Sequence, residues 1–285
     1  MLKLFKSLFT KPIYPKRLAF STELMSHRGG SLESVENTLA GFRKSAVLKV
    51  DLLEMDIYMT KDGQCVVFHD SDLGRLCGLP GKKIRDFEYR DLPPLVIPRG
   101  REKELNTLCD SHNIPLFEDV LKEFPDYPMQ VDVKEGSEEM VIKVGNLIKQ
   151  YKRENLTVWG SFRPSVNNHC YTHFSTSIPL FFSFRRAAYS YLLSRFGLTH
   201  WMSYRESALI CPNIPWVLDK SWFEDLNRLG ISVIVWGRGK EEGGPGGGVN
   251  TIQGFELIRK SGANGICTDR PTLLKEWLKE NPLER

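Results

Sequence analysis

The feature that most restricts this chain is an alternation sustained nearly from end to end, in which short apolar runs of strand character give way to segments with a helical period. Strand-like "ELMSHRG" precedes helical "ENTLAGFRKSAVL", where Glu36 and Asn37 mark a helix start. "LLEMDIYMT" and "CVVFH" flank "KDGQ", whose Asp-Gly pair signals a tight turn. The later chain reads "IPLFEDVLKEF" (helix), "MQVDVK" (strand), "SEEMVIKVGNLIKQYK" (helix), "LTVWGS" and "IPLFFSF" (strands) and, after a mixed aromatic segment, "SALICPN" (strand). It continues "DKSWFEDLNRLG" (helix), "ISVIVW" (strand), "GFELIRKSG" (helix), "GICTD" (strand) and a closing "PTLLKEWLKE". About eight strands separated by helices predict an α/β fold, a single (β/α)8 TIM barrel of roughly 250 residues, over an open sheet with a second domain. No GxGxxG and no GxxxxGK[ST] follows a strand, which further disfavours a doubly wound nucleotide-binding sheet. The barrel is expected over 22–285, behind a basic segment 1–21, with the Gly-, Pro- and charge-rich stretch 71–113 as an insertion after the second strand region.

With 41% hydrophobic and 26% charged residues, the 285-residue chain is globular in composition. Its net charge of +4 is uneven, because Lys3, Lys6, Lys11, Lys16 and Arg17 precede the first acid and leave the rest near neutral. No basic stripe crosses the domain, so no nucleic-acid partner is expected. The cysteines (Cys65, Cys77, Cys109, Cys170, Cys211, Cys267) show no CxxC spacing, which points away from zinc and disulfides and toward a reducing compartment. No apolar run reaches the roughly 18 residues of a spanning helix. "MLKLFKSLFTKP" gathers Leu2, Phe5 and Phe9 on one side with Leu4 and Leu8 beside them; it reads as a short basic amphipathic helix for an anionic membrane or as a frayed terminus.

Polar residues collect where barrel enzymes carry their chemistry, at strand C-terminal ends and in the loops that follow. His27, Arg28, Gly29 and Gly30 end the first strand, Glu54 and Asp56 lie on the second, Asp132 and Lys134 on "MQVDVK", Trp236 ends "ISVIVW", and Asp269 with Arg270 ends "GICTD". Glu54 and Asp56, two apart, share one strand face. Three carboxylates meeting at a barrel mouth repel unless compensated, and one hard divalent cation, Mg²⁺ or Ca²⁺, would compensate them. The alternative is a pair of structural salt bridges with Lys134 as one partner. His27 and His69 have the chemistry of an acid and base pair, or are hydrogen-bonded structural histidines. Arg28 and Lys134 supply donors suited to phosphate. Together these groups suggest phosphoester cleavage.

At this point the motifs "HRG" (27–29), "ENT" (36–38), "EMD" (54–56), "HD" (69–70), "DVK" (132–134) and "GANGICTDRP" (262–271) resemble the glycerophosphodiester phosphodiesterases. The resemblance implies that Glu54, Asp56 and Asp132 bind one divalent ion, that His69 is the general acid and His27 the base, and that Arg28 holds phosphate. It also implies that Trp236 lines the substrate pocket and that 71–113 sits over the mouth. "IPLFEDVLKEFPDYPMQVDVK" and "LTVWGS" are most similar to the animal lysophospholipase D subgroup, which splits lysophospholipids or N-acyl glycerophosphoethanolamines to lysophosphatidic acid. That subgroup implies a membrane surface as partner, at the cytoplasmic face of the endoplasmic reticulum or perinuclear membrane, or residence in the cytoplasm. Two other readings stay open: a sphingomyelinase D-like phospholipase, and an inactive lipid-binding barrel. The second is raised by "GRGKEEGGPGGGVN" (237–250), a departure from the family expected to disturb the mouth beside Trp236. "IPLFFSFRRAAYSYLLSRFGLTHWMSY", with Arg185, Arg186 and Arg195, reads as a membrane-interface segment near an acyl chain or as a core strand followed by an amphipathic helix.

Overall fold

Along the second strand Leu53, Met55 and Ile57 pack outward under the helices, while Leu52, Glu54 and Asp56 point into the barrel. The computed structural model describes residues 15–96, 112–237 and 248–282. Its strands are β1 (Leu24–Ser26), β2 (Leu52–Met59), β3 (Cys65–Val67), β4 (Met129–Val133), β5 (Thr157–Gly160), β6 (Leu180–Phe181), β7 (Glu206–Pro212), β8 (Ser232–Trp236) and β9 (Gly265–Thr268). The helices are α1 (Leu39–Val47), α2 (Gly74–Cys77), α3 (Phe117–Glu123), α4 (Glu138–Gln150), α5 (Pro164–Phe174), α6 (Phe184–Arg195), α7 (Lys220–Arg228), α8 (Ile252–Lys260) and α9 (Pro271–Glu280).

Parallel pairing runs from β1 through β2, β4, β5, β6, β7, β8 and β9, and β9 returns to β1 to close the barrel. The remaining strand, β3, folds back antiparallel on β2 through the Asp62-Gly63 turn, where Gly63 has φ +76°. Of the nine strand-like runs in the sequence, then, eight build the barrel and one forms a hairpin arm.

Helix starts follow the sequence closely. Thr38, Ser137, Asp219 and Thr251 each accept a backbone N–H from the first turn of α1, α4, α7 and α8, satisfying donors that would otherwise lack a partner.

Two apolar layers result. The outer one joins Leu53, Met55, Val131 and Val233 to helix residues such as Phe42, Val144 and Phe255. The inner one fills the barrel with Met25, Leu52, Val158, Phe181, Ala208, Ile210, Ile234 and Cys267, capped by Leu18 and Phe20 before β1. Each fully buried aliphatic side chain contributes about 1.5–3 kcal/mol, so these layers hold the strand ends rigid enough to carry a site. The stretch 71–96 adds a small cluster of its own, with Leu73, Leu76, Ile84 and Leu95 packed on Val66, Phe68 and Ile114. Residues 97–111, the basic start 1–14 and the glycine-rich 238–247 lie outside the described residues. No helix among the described residues is long and apolar enough to cross a membrane.

Candidate active site

Strand register assembles the mouth. Ser26 pairs with Leu53 and with Thr268, so the next residue, His27, meets Glu54 on one side and Asp269 on the other. Asp56 pairs directly with Asp132 on β4, which places the two carboxylates side by side.

After β1 the chain turns sharply, with Arg28 at φ +52°, Gly29 at +80° and Gly30 at +86°. A side chain on Gly29 would press on the backbone of Gly41, and one on Gly30 on Pro271, so both positions need glycine. Arg28 holds a left-handed conformation that costs about 1–2 kcal/mol. The cost is offset by its contacts: its N–H donates to Glu54 Oε2 (2.8 Å), its guanidinium to Glu36 (3.1 Å), and its Nε lies 3.3 Å from Asp56. Asn37, also left-handed, donates to Asp56 (3.0 Å). Glu36, Asn37 and Thr38 are therefore two site residues and a helix cap, a division that the helix-start pattern did not disclose.

His27 is partly buried, its Nδ1 2.6 Å from Asp269 Oδ1 and its Nε2 3.9 Å from Glu54. Asp269 also accepts from Ser31 Oγ and from Asn250 Nδ2 (3.0 Å). Burial alone would raise the Asp269 carboxyl, but His27 and these donors outweigh it and hold it well below the usual range. His69 faces the same cavity with Nδ1 2.8 Å from Asp70. Asp70 shares Arg75 with Glu36, and Arg75 donates to both carboxylates at 2.6–3.0 Å. Each histidine is thus oriented by a carboxylate at Nδ1, which directs Nε2 to the cavity.

Burial pushes Glu54 well above the usual carboxylate range, and Asp56 beside it adds to the rise. Asp132 is likewise raised by burial, against the pull of Lys134. For Asp56 the balance reverses: burial would raise it, but Lys134 and Arg28 hold it well below that range. Lys134 Nζ bridges the pair, 2.8 Å from Asp56 and 2.5 Å from Asp132. The salt-bridge alternative is therefore present in the geometry. It is incomplete, since Asp132 Oδ1 is buried with no hydrogen-bond partner among the described residues.

Apart from Gln130, the rest of the mouth is apolar. Phe162, Ile210 and Trp236 line the cavity beside Met25 and Cys267, and the Phe162 and Trp236 rings are 6.0 Å apart. The glycine-rich excursion begins and ends at one point, because the Val249 N–H donates to Gly237 O (3.1 Å) and Asn213 holds both Trp236 and Gly248. Asn250 then binds Thr268 and Asp269.

All eight residues expected at the site, His27, Arg28, Glu54, Asp56, His69, Asp132, Lys134 and Trp236, line this one cavity. Sequence reasoning missed Arg75, Asn250, Gln130 and Phe162, and named Asp269 without giving it a role. A separate exposed group, Glu138 with His169 and His173 one turn apart on α5, brings three ligand-type atoms within 4.8 Å, away from the cavity.

The model of the glycerophosphoryl diester phosphodiesterase family matches residues 27–273. The chain belongs to this family. It is therefore a phosphodiesterase, a hydrolase of phosphoric diesters. Among its relatives, the lysophospholipase D GDPD1 of Rattus norvegicus is 32% identical over 289 residues, covering 92% of this chain and 88% of the relative. The crystal structure of a putative glycerophosphoryl diester phosphodiesterase from Silicibacter pomeroyi superposes with TM-score 0.70 at 19% identity, covering 97% of this chain and 98% of that one. An Oleispira antarctica phosphodiesterase solved with the product sn-glycerol-3-phosphate superposes at 0.69 and 18% identity, covering 91% and 97%. At these identities the two structures bear on the barrel alone.

Proposed function

We propose that this phosphodiesterase is a metal-dependent lysophospholipase D, cleaving the bond between phosphorus and the headgroup alcohol of a lysophospholipid or N-acyl glycerophosphoethanolamine. One observation carries the reading: two carboxylate-oriented histidines, His27 and His69, face one cavity that also holds Glu54, Asp56 and Asp132. The lysophospholipase D relatives supply the substrate class.

A divalent cation fits the residues present. Glu54 and Asp132 are carboxylates whose charge burial disfavours, and Asp132 Oδ1, without a partner among the described residues, is a hard ligand atom. Glu54, Asp56 and Asp132 would hold the ion, Mg²⁺ or Ca²⁺, with Lys134 and Arg28 moving onto phosphate oxygens. When bound, it supplies Lewis-acid polarisation of a phosphoryl oxygen. His27 Nε2 takes the proton of the attacking hydroxyl oxygen as that oxygen bonds to phosphorus. His69 gives its proton to the headgroup oxygen as the phosphorus–oxygen bond breaks. The exposures match these roles, since the His69 side chain is 31% exposed and that of His27 13%, and the departing alcohol leaves toward solvent. Phe162 and Trp236 cover the non-polar side of the substrate and exclude water there.

The test is mass-spectrometric identification of products from lysophosphatidylcholine with Mg²⁺, Ca²⁺ or EDTA. Choline and lysophosphatidic acid, lost in EDTA and restored by one of the ions, are expected. Free fatty acid, phosphocholine or EDTA-insensitive turnover would contradict the proposal, and lipid binding without turnover would favour the inactive barrel. Because such lipids reside in bilayers, the proposal extends to the cytoplasmic face of an intracellular membrane. Recovery in a microsomal fraction, open to added protease, is expected there; recovery in the medium would contradict it.

A further inference from the structure

Helix α6 carries apolar side chains on both faces. Ser190 and Ser194 are buried and Ala187, Tyr191 and Leu193 pack on the core, while Phe184, Tyr189 and Leu192 are each more than half exposed. Positions 184, 188, 192 and 196 stack at four-residue spacing, so Phe184, Ala188, Leu192 and Phe196 form one outward stripe. The turn that follows adds exposed Leu198 and Trp201. A helix on a water-facing surface turns polar residues outward instead. The inner face is satisfied as it stands, because Ser190 Oγ accepts from Trp222 Nε1 (3.0 Å) and lies 3.3 Å from the Tyr204 hydroxyl. Beyond Phe184, the outer stripe stays exposed at Leu192 and Phe196.

Charge points the same way. From Asn155 to Arg205 the sequence contains no Asp or Glu and carries Arg163, Arg185, Arg186, Arg195 and Arg205. Arg186 and Arg205 pair with Glu206, and Arg195 with Asp219. Arg163 and Arg185 have no carboxylate within ion-pair distance among the described residues and are exposed. Aromatic side chains beside unpaired arginines, without acids, complement an anionic lipid interface.

The first residue of α6 is tied to the catalytic rim, and its last to the helix after β7. Phe184, its first residue, stacks on Phe162 at 4.9 Å, and Phe162 lines the active-site cavity. Arg195, its last, reaches Asp219, the N-cap of the helix that follows β7. An unbroken aromatic path thus joins the cavity, through Phe162 and Phe184, to the exposed stripe.

We propose that the outward face of α6 and the turn to Trp201 rest on an anionic phospholipid surface, and that Phe184 and Phe162 lead the substrate's acyl chain from that surface to the barrel mouth. The second half rests on the lysophospholipid substrate proposed above; the first does not.

The test uses the full chain in sedimentation with vesicles of phosphatidylcholine, with or without phosphatidylserine, alongside turnover of vesicle-borne lysophosphatidylcholine and of soluble glycerophosphocholine, which has no acyl chain. The double variant Leu192→Asp/Phe196→Asp is expected to lose vesicle binding by on the order of tenfold, with a matching fall in lysophosphatidylcholine turnover. Circular dichroism and glycerophosphocholine turnover stay at wild-type values, which separates docking from folding. Arg185→Gln is expected to weaken binding only where phosphatidylserine is present. Wild-type vesicle binding by the double variant would overturn the proposal. So would a dimer dissolved by the double variant with vesicle binding intact, which would assign the stripe to a second copy of the chain. If neither substrate is hydrolysed while the vesicle result holds, the docking surface stands and the substrate assignment fails.

Discussion

The two halves of the barrel rim are built from opposite materials. On or just after β1, β2, β4 and β9 the mouth residues are His27, Glu54, Asp56, Gln130, Asp132 and Asp269, and the charged ones are each tied to a neighbour by a hydrogen bond or ion pair. On β5 to β8 and the loops after them the mouth presents Phe162, Ile210 and Trp236, and Phe184 continues it outward. Deeper in the barrel the halves are alike, filled by Leu52, Val158, Ala208 and Ile234. The contrast teaches that the division lies in the last inward-facing positions of each strand. In the proposed function one half carries charge for a phosphodiester, and the other offers apolar surface for whatever the phosphate is attached to.

The strongest way to break this division is to remove charge from the polar half. Glu54→Ala or Asp56→Ala is expected to lower turnover of every phosphodiester substrate by on the order of a thousandfold or more while leaving the circular-dichroism spectrum folded. Loss of the folded spectrum would make these carboxylates structural. His27→Ala and His69→Ala are each expected to cost about 10²–10⁴ in kcat. Asp269→Asn should cost roughly 10²-fold by releasing His27 Nδ1, and a double variant with His27→Ala should be no slower than His27→Ala alone, since the two act as a unit. Additive losses in that cycle would separate them.

A smaller effect is expected at Arg75, which serves Asp70 and Glu36 from the insertion. Burial would raise Glu36, but Arg75 and Arg28 hold its carboxyl below the ordinary range. A carboxyl depressed by folding contributes stability that is present above its unfolded pKa of about 4 and is lost as pH falls through the folded value. Arg75→Ala should therefore cost about 1 kcal/mol at neutral pH, kept low because Arg75 is half exposed, and less in acid. Urea unfolding across pH checks this; an equal loss at pH 3 and pH 7 would mean that packing, rather than charge, is what Arg75 supplies.

How much of this was legible in the sequence depended on how local each feature is. The barrel was readable because each strand is a short apolar run with its own helix behind it. Glu54 and Asp56 were readable because a period of two fixes their common face. Asp269 stood out at a strand end, but its role did not, since its partner His27 is 242 residues away and only strand register joins them. Arg75 sits in a stretch with no period, so nothing local marked it. Helix α6 was visible as amphipathic, yet its orientation was not, because periodicity finds the two faces of a helix without saying which one is turned inward.

The measurement that tests the division most directly is kcat/KM for lysophosphatidylcholine and for glycerophosphocholine, compared in wild type, Asp56→Ala and Phe162→Ala. The account predicts that Asp56→Ala abolishes both, whereas Phe162→Ala lowers the lysophosphatidylcholine value by about tenfold and the glycerophosphocholine value by no more than about threefold, the scale of a lost apolar contact. Equal losses on the two substrates in Phe162→Ala would contradict it, because the aromatic half would then serve the phosphodiester rather than the chain attached to it.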